Sequence, residues 1–379
     1  MNSRFLQAAT SINFPDLEQW KDEGKPVIGY SCSYVPSEIF HAAGILSMRL
    51  RGIETEGMEI GDSYFGPYIC SFPKCILQLA GHGKFSILDG VVITPGCDSM
   101  RRLYECWQKA GEDYDGIVPG FFHYLDVPHK TVSHRIDWFV DEITALKIAV
   151  EEKYNLRLDQ DKINASIEVY NTGRRLMDEL EGLRRKESVP LSGSEAFAVA
   201  VAGTVMWRDD FNNELKQYVE NLKTNATDTH KHKKRLMLIG SISDDIELVS
   251  LVESNNKAVV VADNLCFGVR QEENEISIND DPLRALARFY LGESTCPRMF
   301  GKYGERLTLM KKKIETCKVD GVILQNIRFC DLHGSENGLF ERDLEKVGVP
   351  CLKLEREYGP LTETGRIKMR IDAFLERIS

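Results

Sequence analysis

The sequence lacks the features that mark the commonest cysteine-rich and nucleotide-handling proteins. Its start, MNSRFLQAATSINFPDLEQW, has no basic segment followed by an apolar run, so no secretory signal is expected. No apolar stretch is long enough to span a bilayer, which excludes a helical membrane protein. There is no C-x2-C pair, no HExxH and no closely spaced ferredoxin run, so zinc ribbons, thioredoxin-like motifs, zincins and simple ferredoxins are set aside. The phosphate loop G-x-x-x-x-G-K-S/T is also missing, because Gly83-Lys84 is followed by Phe85 and lacks the earlier glycine. Basic charge is scarce, with 48 Lys and Arg against 58 Asp and Glu and a net charge of −10, so no nucleic-acid partner is expected. The single dense basic run, His230 to Arg235, follows polar residues and reads as a solvated linker; the sequon at Asn225 is idle without secretion.

What remains is the composition of an ordinary globular protein, 42% hydrophobic and 28% charged over 379 residues, enough for two or three domains. A cytoplasmic location follows from the missing signal and spans. The ten cysteines are then read as reduced thiols rather than disulfides. Cys75, Cys106, Cys266, Cys317 and Cys351 sit in apolar patterns that packing explains.

The chain opens with βα rhythm: KPVIGYS reads as a strand, PSEIFHAAGILSMRL as a helix entered at Pro36, and LDGVVITPG as a second strand. From about residue 134 long helices take over, with Ile136, Phe139, Ile143 and Leu146 on one face and Ile163, Ile167, Leu176, Leu180 and Leu183 on another. The βα rhythm returns in RLMLIGS, KAVVVADN, VDGVILQNI and GVPCLKLE, and GRIKMRIDAFLERI closes the chain as a helix. The predicted architecture is α/β, two Rossmann- or flavodoxin-like parallel-sheet lobes (residues 1–133 and 233–379) flanking a mainly helical segment (residues 134–232).

Two segments echo each other. LDGVVITPGCDSMRRL (88–103) and VDGVILQNIRFCDLHG (319–334) share Asp-Gly, an apolar strand, a short loop and Cys-Asp. Ligands of open parallel sheets bind beyond the carboxyl ends of the strands, where Cys97 and Cys330 fall. If the lobes face one another, both cysteines reach one site. Cys70, before a helix beginning near Pro73, is a third candidate whose thiolate a helix N-terminus would stabilise. Three thiolates suit a 4Fe-4S cluster with one iron left for another ligand, against the plainer reading of buried thiols. Asp98 and Asp331 are read as loop-capping residues, and one of Arg101 and Arg102 as a salt-bridge partner. His123, His129 and His134 have no metal spacing. Ser31, Cys32 and Ser33 follow the first strand and are weak candidates for lining a substrate cleft.

The segments GYSCSYVPSEIFHAAGILSMRLRG, YICSFPKC, LDGVVITPGCDSMRRLYE, FFHYLDVPHK, VVVADNLCFGVR, CPRMF, KVDGVILQNIRFCD, GVPCLKLEREYG and RIDAFLE occur in the order found in the 2-hydroxyacyl-CoA dehydratase and benzoyl-CoA reductase family. The chain resembles the smaller subunit of that family over nearly its full length. The resemblance implies that Cys70, Cys97 and Cys330 hold a 4Fe-4S cluster between the lobes, with Cys75 a rival to Cys70 and with Cys32 and Cys296 as possible extras. It implies a homologous second subunit, a separate ATP-hydrolysing iron–sulfur activator protein and a CoA-thioester substrate reduced by one electron to a ketyl radical. The leading expectation is an (R)-2-hydroxyacyl-CoA dehydratase subunit. Alternatives are a benzoyl-CoA reductase subunit, a non-catalytic electron-relay subunit, a double-cubane cluster reductase, and an α/β protein whose thiols are merely buried.

Overall fold

The computed structural model describes residues 3–225, 230–268, 274–278 and 281–379. The first part of the chain runs α1 (Ser3–Thr10), α2 (Pro15–Asp22), β1 (Val27–Tyr30), α3 (Ser37–Ala42), β2 (Leu46–Arg49), α4 (Glu59–Tyr64), α5 (Ser71–Gly81), β3 (Gly90–Ile93), α6 (Asp98–Asp113) and β4 (Phe121–Tyr124). Four helices follow: α7 (Ser133–Tyr154), α8 (Gln160–Arg184), α9 (Gly193–Ala202) and α10 (Arg208–Thr224). The last part runs β5 (Lys234–Gly240), α11 (Ile246–Glu253), β6 (Ala258–Asn264), α12 (Pro282–Gly292), α13 (Tyr303–Thr316), β7 (Gly321–Ile327), α14 (Asp331–Glu345), β8 (Cys351–Arg356) and α15 (Thr364–Arg377).

Each part builds one parallel four-stranded sheet, ordered β2-β1-β3-β4 and β6-β5-β7-β8. The two orders are the same topology used twice, which is the structural basis of the sequence echo. Strands β1, β3 and β6 are buried along their whole length, as expected when helices cover both faces of a parallel sheet. In this topology the crevice between the first and third strands of each sheet, beyond their carboxyl ends, is where ligands bind. In the second sheet that crevice is tight. Gly240 ends β5 with φ 143°, and a Cβ there would stand 1.8 Å from the Gln325 carbonyl oxygen of β7, so only glycine fits.

The segment PSEIFHAAGILSMRL is not one helix. Gly44, at φ 71°, stops α3 after one and a half turns, and Leu46–Arg49 then joins the sheet edge as β2. Leu46 and Met48 are both buried with Ser47 partly open between them, and pairing with β1 outweighs the helical pattern. The basic run is also more ordered than its composition predicted. Lys234 and Arg235 begin β5, and Arg235 donates to the carbonyls of Arg184, Lys186 and Cys317. Ala226 and Thr227 of the sequon lie outside the described residues.

The helical segment does not stand apart. Its helix α8 packs on α3 and β6, and α9 packs on α1, α11 and β6, so one hydrophobic core passes from lobe to lobe through it. A capping box starts α9, with the Ser192 hydroxyl accepting from the Glu195 N–H and Glu195 accepting from the Ser192 N–H. A buried ion pair joins Glu38 of α3 to Arg174 of α8 at 2.8 Å, and Tyr290 of α12 donates to the same carboxylate at 2.7 Å.

Candidate cysteine site between the lobes

Cys70, Cys97 and Cys330 each occupy the residue immediately before a helix, α5, α6 and α14 respectively. Cys97 and Cys330 lie at the carboxyl ends of β3 and β7, the third strands of the two sheets, so both face the crevices where this topology places ligands. Their sulfurs and that of Cys70 are close enough that ionising one disfavours ionising another: Cys330 acts on Cys70, and both act on Cys97. The structure therefore brings together three residues separated by up to 260 positions in sequence.

Two effects oppose each other at these sulfurs. Burial and mutual repulsion push the thiols up, Cys70 to about 12 and Cys97 and Cys330 also above the ordinary thiol value. Against this, the backbone N–H groups of Phe72, Met100 and His333, in the first turn of each helix, face the sulfurs and favour the thiolate. None closes a capping hydrogen bond of ordinary length. The Ser99 hydroxyl favours the thiolate of Cys70, and the Ser241 hydroxyl, which donates to Asn326 Oδ1 at 2.9 Å, lies beside Cys330. Without a cation the thiols stay protonated, because burial outweighs the helix ends. Binding of iron would have to displace those protons, as for any thiolate site.

Contacts between the lobes fix this arrangement. The Ser71 hydroxyl donates to Glu357 at 2.8 Å and accepts the Tyr358 N–H at 2.7 Å, while the Tyr358 hydroxyl accepts from the Gly52 N–H at 2.9 Å. The Arg298 guanidinium donates to the carbonyl of Pro95, two residues before Cys97, and to those of Val127 and Pro128. A cleft of about 440 Å³ is walled by Ile69, Ser71, Cys75, Phe329 and Glu357, so it reaches the chain neighbours of Cys70 and Cys330 and the Cys75 side chain itself. Phe329 precedes Cys330 at φ 64° and lies edge-on to Tyr68, whose ring is 78% exposed.

The other sequence candidates are placed as follows. The Cys75 thiol is directed at the Tyr358 carbonyl at 3.7 Å and hydrogen-bonded to Thr55. The Cys32 sulfur lies beside Gly96, where a Cβ would meet it at 2.9 Å, and acts on Cys97. Ser31 is buried and its hydroxyl accepts the Thr94 N–H at 3.0 Å, which ties β1 to β3. Ser33 lines a separate small cavity with Arg49. Cys296 is followed by a turn, from which Arg298 is turned in to bridge the lobes. Asp98 and Asp331 are first-turn helix residues, and Arg102 pairs with Glu105 at 2.7 Å. His129 lies against Arg298, and His123 is pushed down by burial. Ser241 escaped the sequence reading, and Cys266 was read there only as a packing residue. Ser241, after β5, lies beside Cys330 on the neighbouring strand, and Cys266, after β6, is close enough to act on Cys330. Their position just beyond the carboxyl end of an apolar strand was the available signal for both.

Among the described residues no group of three or more His, Cys, Asp or Glu is gathered tightly enough for one metal ion. Cysteine thiolates are the donors that iron–sulfur clusters take, and three of them leave one iron of a cubane for another ligand.

The 2-hydroxyglutaryl-CoA dehydratase D-component family model matches residues 32–378, and the chain belongs to that family. It is 28% identical over 334 residues to a benzoyl-CoA reductase subunit of Thauera aromatica, covering 84% of this chain and 83% of the relative. It is 22% identical to the (R)-phenyllactyl-CoA dehydratase beta subunit of Clostridium sporogenes, covering 96% and 94%. It is 21% identical to the (R)-2-hydroxyglutaryl-CoA dehydratase beta subunit of Acidaminococcus fermentans, covering 96% and 95%. These relatives are named as enzyme subunits, and this chain shares their family. No helix among the described residues is long and apolar enough to cross a membrane.

Proposed function

We propose that the chain is the smaller, iron–sulfur subunit of an ATP-activated acyl-CoA enzyme, and that Cys70, Cys97 and Cys330 hold a 4Fe-4S cluster between its lobes. The observation that carries this reading is the meeting of three cysteines from both sheets, each at the start of a helix. When bound, the cluster would supply low-potential one-electron chemistry. The chain's own residues do the rest. Three helix N-termini turn their positive ends toward the thiolates, Ser99 lies in hydrogen-bonding reach of Cys70, Ser241 sits beside Cys330, and the clamp formed by Ser71, Tyr358 and Arg298 keeps the lobes at one spacing. Cys75 is engaged by Thr55 and the Tyr358 carbonyl, which favours Cys70 as the ligand.

The partners in this reading are a homologous second subunit and a separate ATP-hydrolysing iron–sulfur activator, since this sequence has no phosphate loop. The substrate is a CoA thioester, whose uncharged carbonyl accepts an electron more readily than a carboxylate. We take the reaction as elimination of water from an (R)-2-hydroxyacyl-CoA in the cytoplasm. The second reading, reduction of benzoyl-CoA, is favoured by the 28% identity to the Thauera protein.

The test mixes the anaerobically purified chain and partner with both thioesters, with and without activator and ATP. About four irons per chain are expected for one cubane, with turnover only when activator, ATP and thioester are all present. Colourless, iron-free protein after anaerobic reconstitution removes the cluster. Turnover in air without activator removes the radical route, and conversion of one thioester alone decides between the two reactions.

A further inference from the structure

A small cavity of about 50 Å³ lies between the carboxyl end of β2, the loop after β6 and the helical segment, lined by Ser33, Ser47, Arg49, Thr204, Cys266 and Tyr290. Arg49 is 2% exposed and poorly partnered. The other buried arginines show what is usual here. Arg51 donates to three carbonyls, those of Ala8, Ala9 and Ser11, and Arg298 also donates to three. Arg174, Arg184, Arg306 and Arg356 each face a carboxylate. The Arg49 side chain makes one hydrogen bond, to the Cys266 carbonyl at 2.5 Å, and its guanidinium stacks over Phe267 at 4.0 Å. Its Nε has no partner, a trait it shares with Arg51, Arg174, Arg184, Arg208 and Arg356, and no carboxylate among the described residues is within ion-pair distance of it.

A buried cation without a counter-charge is expensive, and a guanidinium offers carboxylates a planar, two-pronged face. Water needs roughly 10–15 Å³ of such space per molecule, so the cavity suits an ion of three or four heavy atoms and is far too small for a nucleotide or CoA. We propose that it binds a small carboxylate monoanion, of formate to acetate size, on Arg49. The site is separate from the cysteine cleft and holds whether or not a cluster is bound there. Through the Cys266 carbonyl, the anion would fix the loop beside Cys330.

The test follows thermal unfolding of the full chain without cluster in sodium formate, acetate or gluconate at equal ionic strength. A ligand that binds only the folded state raises the midpoint saturably. Formate and acetate should do so, whereas gluconate is too large to enter. Arg49→Gln should weaken the apparent affinity by roughly tenfold or more, the loss expected for a charge-assisted pair. In case Arg49→Gln does not fold, Ser47→Val narrows the cavity from two residues along the same strand and should abolish the acetate response. Crystals of the unsubstituted chain grown in bromide should show an anomalous peak beside the guanidinium. Equal midpoints in all three salts, or a cavity holding only water in the bromide crystals, would overturn the proposal.

Discussion

Glu38→Gln should be among the most damaging single changes in the chain, although it lies outside the cysteine site. The carboxylate is fully buried, paired with Arg174 at 2.8 Å and receiving the Tyr290 hydroxyl at 2.7 Å, so it joins α3, α8 and α12 at one point. Removing one partner of a buried pair costs about 3–5 kcal/mol, because the other charge is left without compensation. Glutamine keeps an acceptor for Tyr290, so most of the cost falls on Arg174. At about 2–4 °C per kcal/mol for a unit of ordinary size, the unfolding midpoint should drop by roughly 6 °C or more. The assay is calorimetric or fluorimetric unfolding of Glu38→Gln, Arg174→Met and the double variant Glu38→Leu/Arg174→Met. The double variant should lose less than the sum of the singles, since it removes both charges together. Single variants within about 1 kcal/mol of the parent would refute the reasoning. Because these helices link the two lobes, iron retention should fall with the midpoint.

The remaining expectations are direct. Cys97→Ser and Cys330→Ser should abolish iron retention after anaerobic reconstitution, while Cys106→Ser and Cys317→Ser leave it intact; equal loss in all four would point to a general folding defect. Cys351 is buried and its thiol is pushed up to about 12, so its thiolate is disfavoured in the folded state relative to the unfolded one. The folded chain therefore binds the extra proton above the ordinary thiol value of about 8.5, and Cys351 should contribute stability that declines as pH rises from there toward about 12. Alkylation of folded protein at about pH 8.5 should spare Cys351, as peptide mapping would reveal, and rapid labelling there contradicts the burial argument. Ser192→Ala removes one half of the capping box of α9 and should cost about 1 kcal/mol in denaturant unfolding; no change means that the cap is replaced by solvent. Phe329→Gly should relieve about 1 kcal/mol of left-handed backbone strain and offset the lost Tyr68 contact, leaving stability near that of the parent. A large loss there means that the ring is needed in the fold.

Much of this molecule was legible in its residues. Short apolar runs between helical patterns marked β1, β3 and β5 through β8, and the long helical faces of α7 and α8 bury the residues their spacing singled out, including Phe139, Ile143, Ile163 and Leu180. The matched Cys-Asp loops led to two strand-to-helix junctions, each with its cysteine at the residue before the helix. The misreading of β2 has a local cause: four residues at a sheet edge carry too little pattern to be told from a helix turn, and Gly44 decided the matter through its left-handed backbone.

The sequence by itself determined the elements, the parallel class of the sheets and the cysteines worth watching, because each depends on residues that are neighbours along the chain. Only the tertiary structure decided that Cys70 meets Cys97 and Cys330, that Cys75 turns to Tyr358, that Ser241 and Cys266 approach the same sulfur, and that Arg49 is buried with one hydrogen bond. Those facts depend on how two sheets are set against each other by the Glu38–Arg174–Tyr290 junction and the Ser71–Tyr358 clamp. Such contacts join residues more than a hundred positions apart, and no local pattern records them.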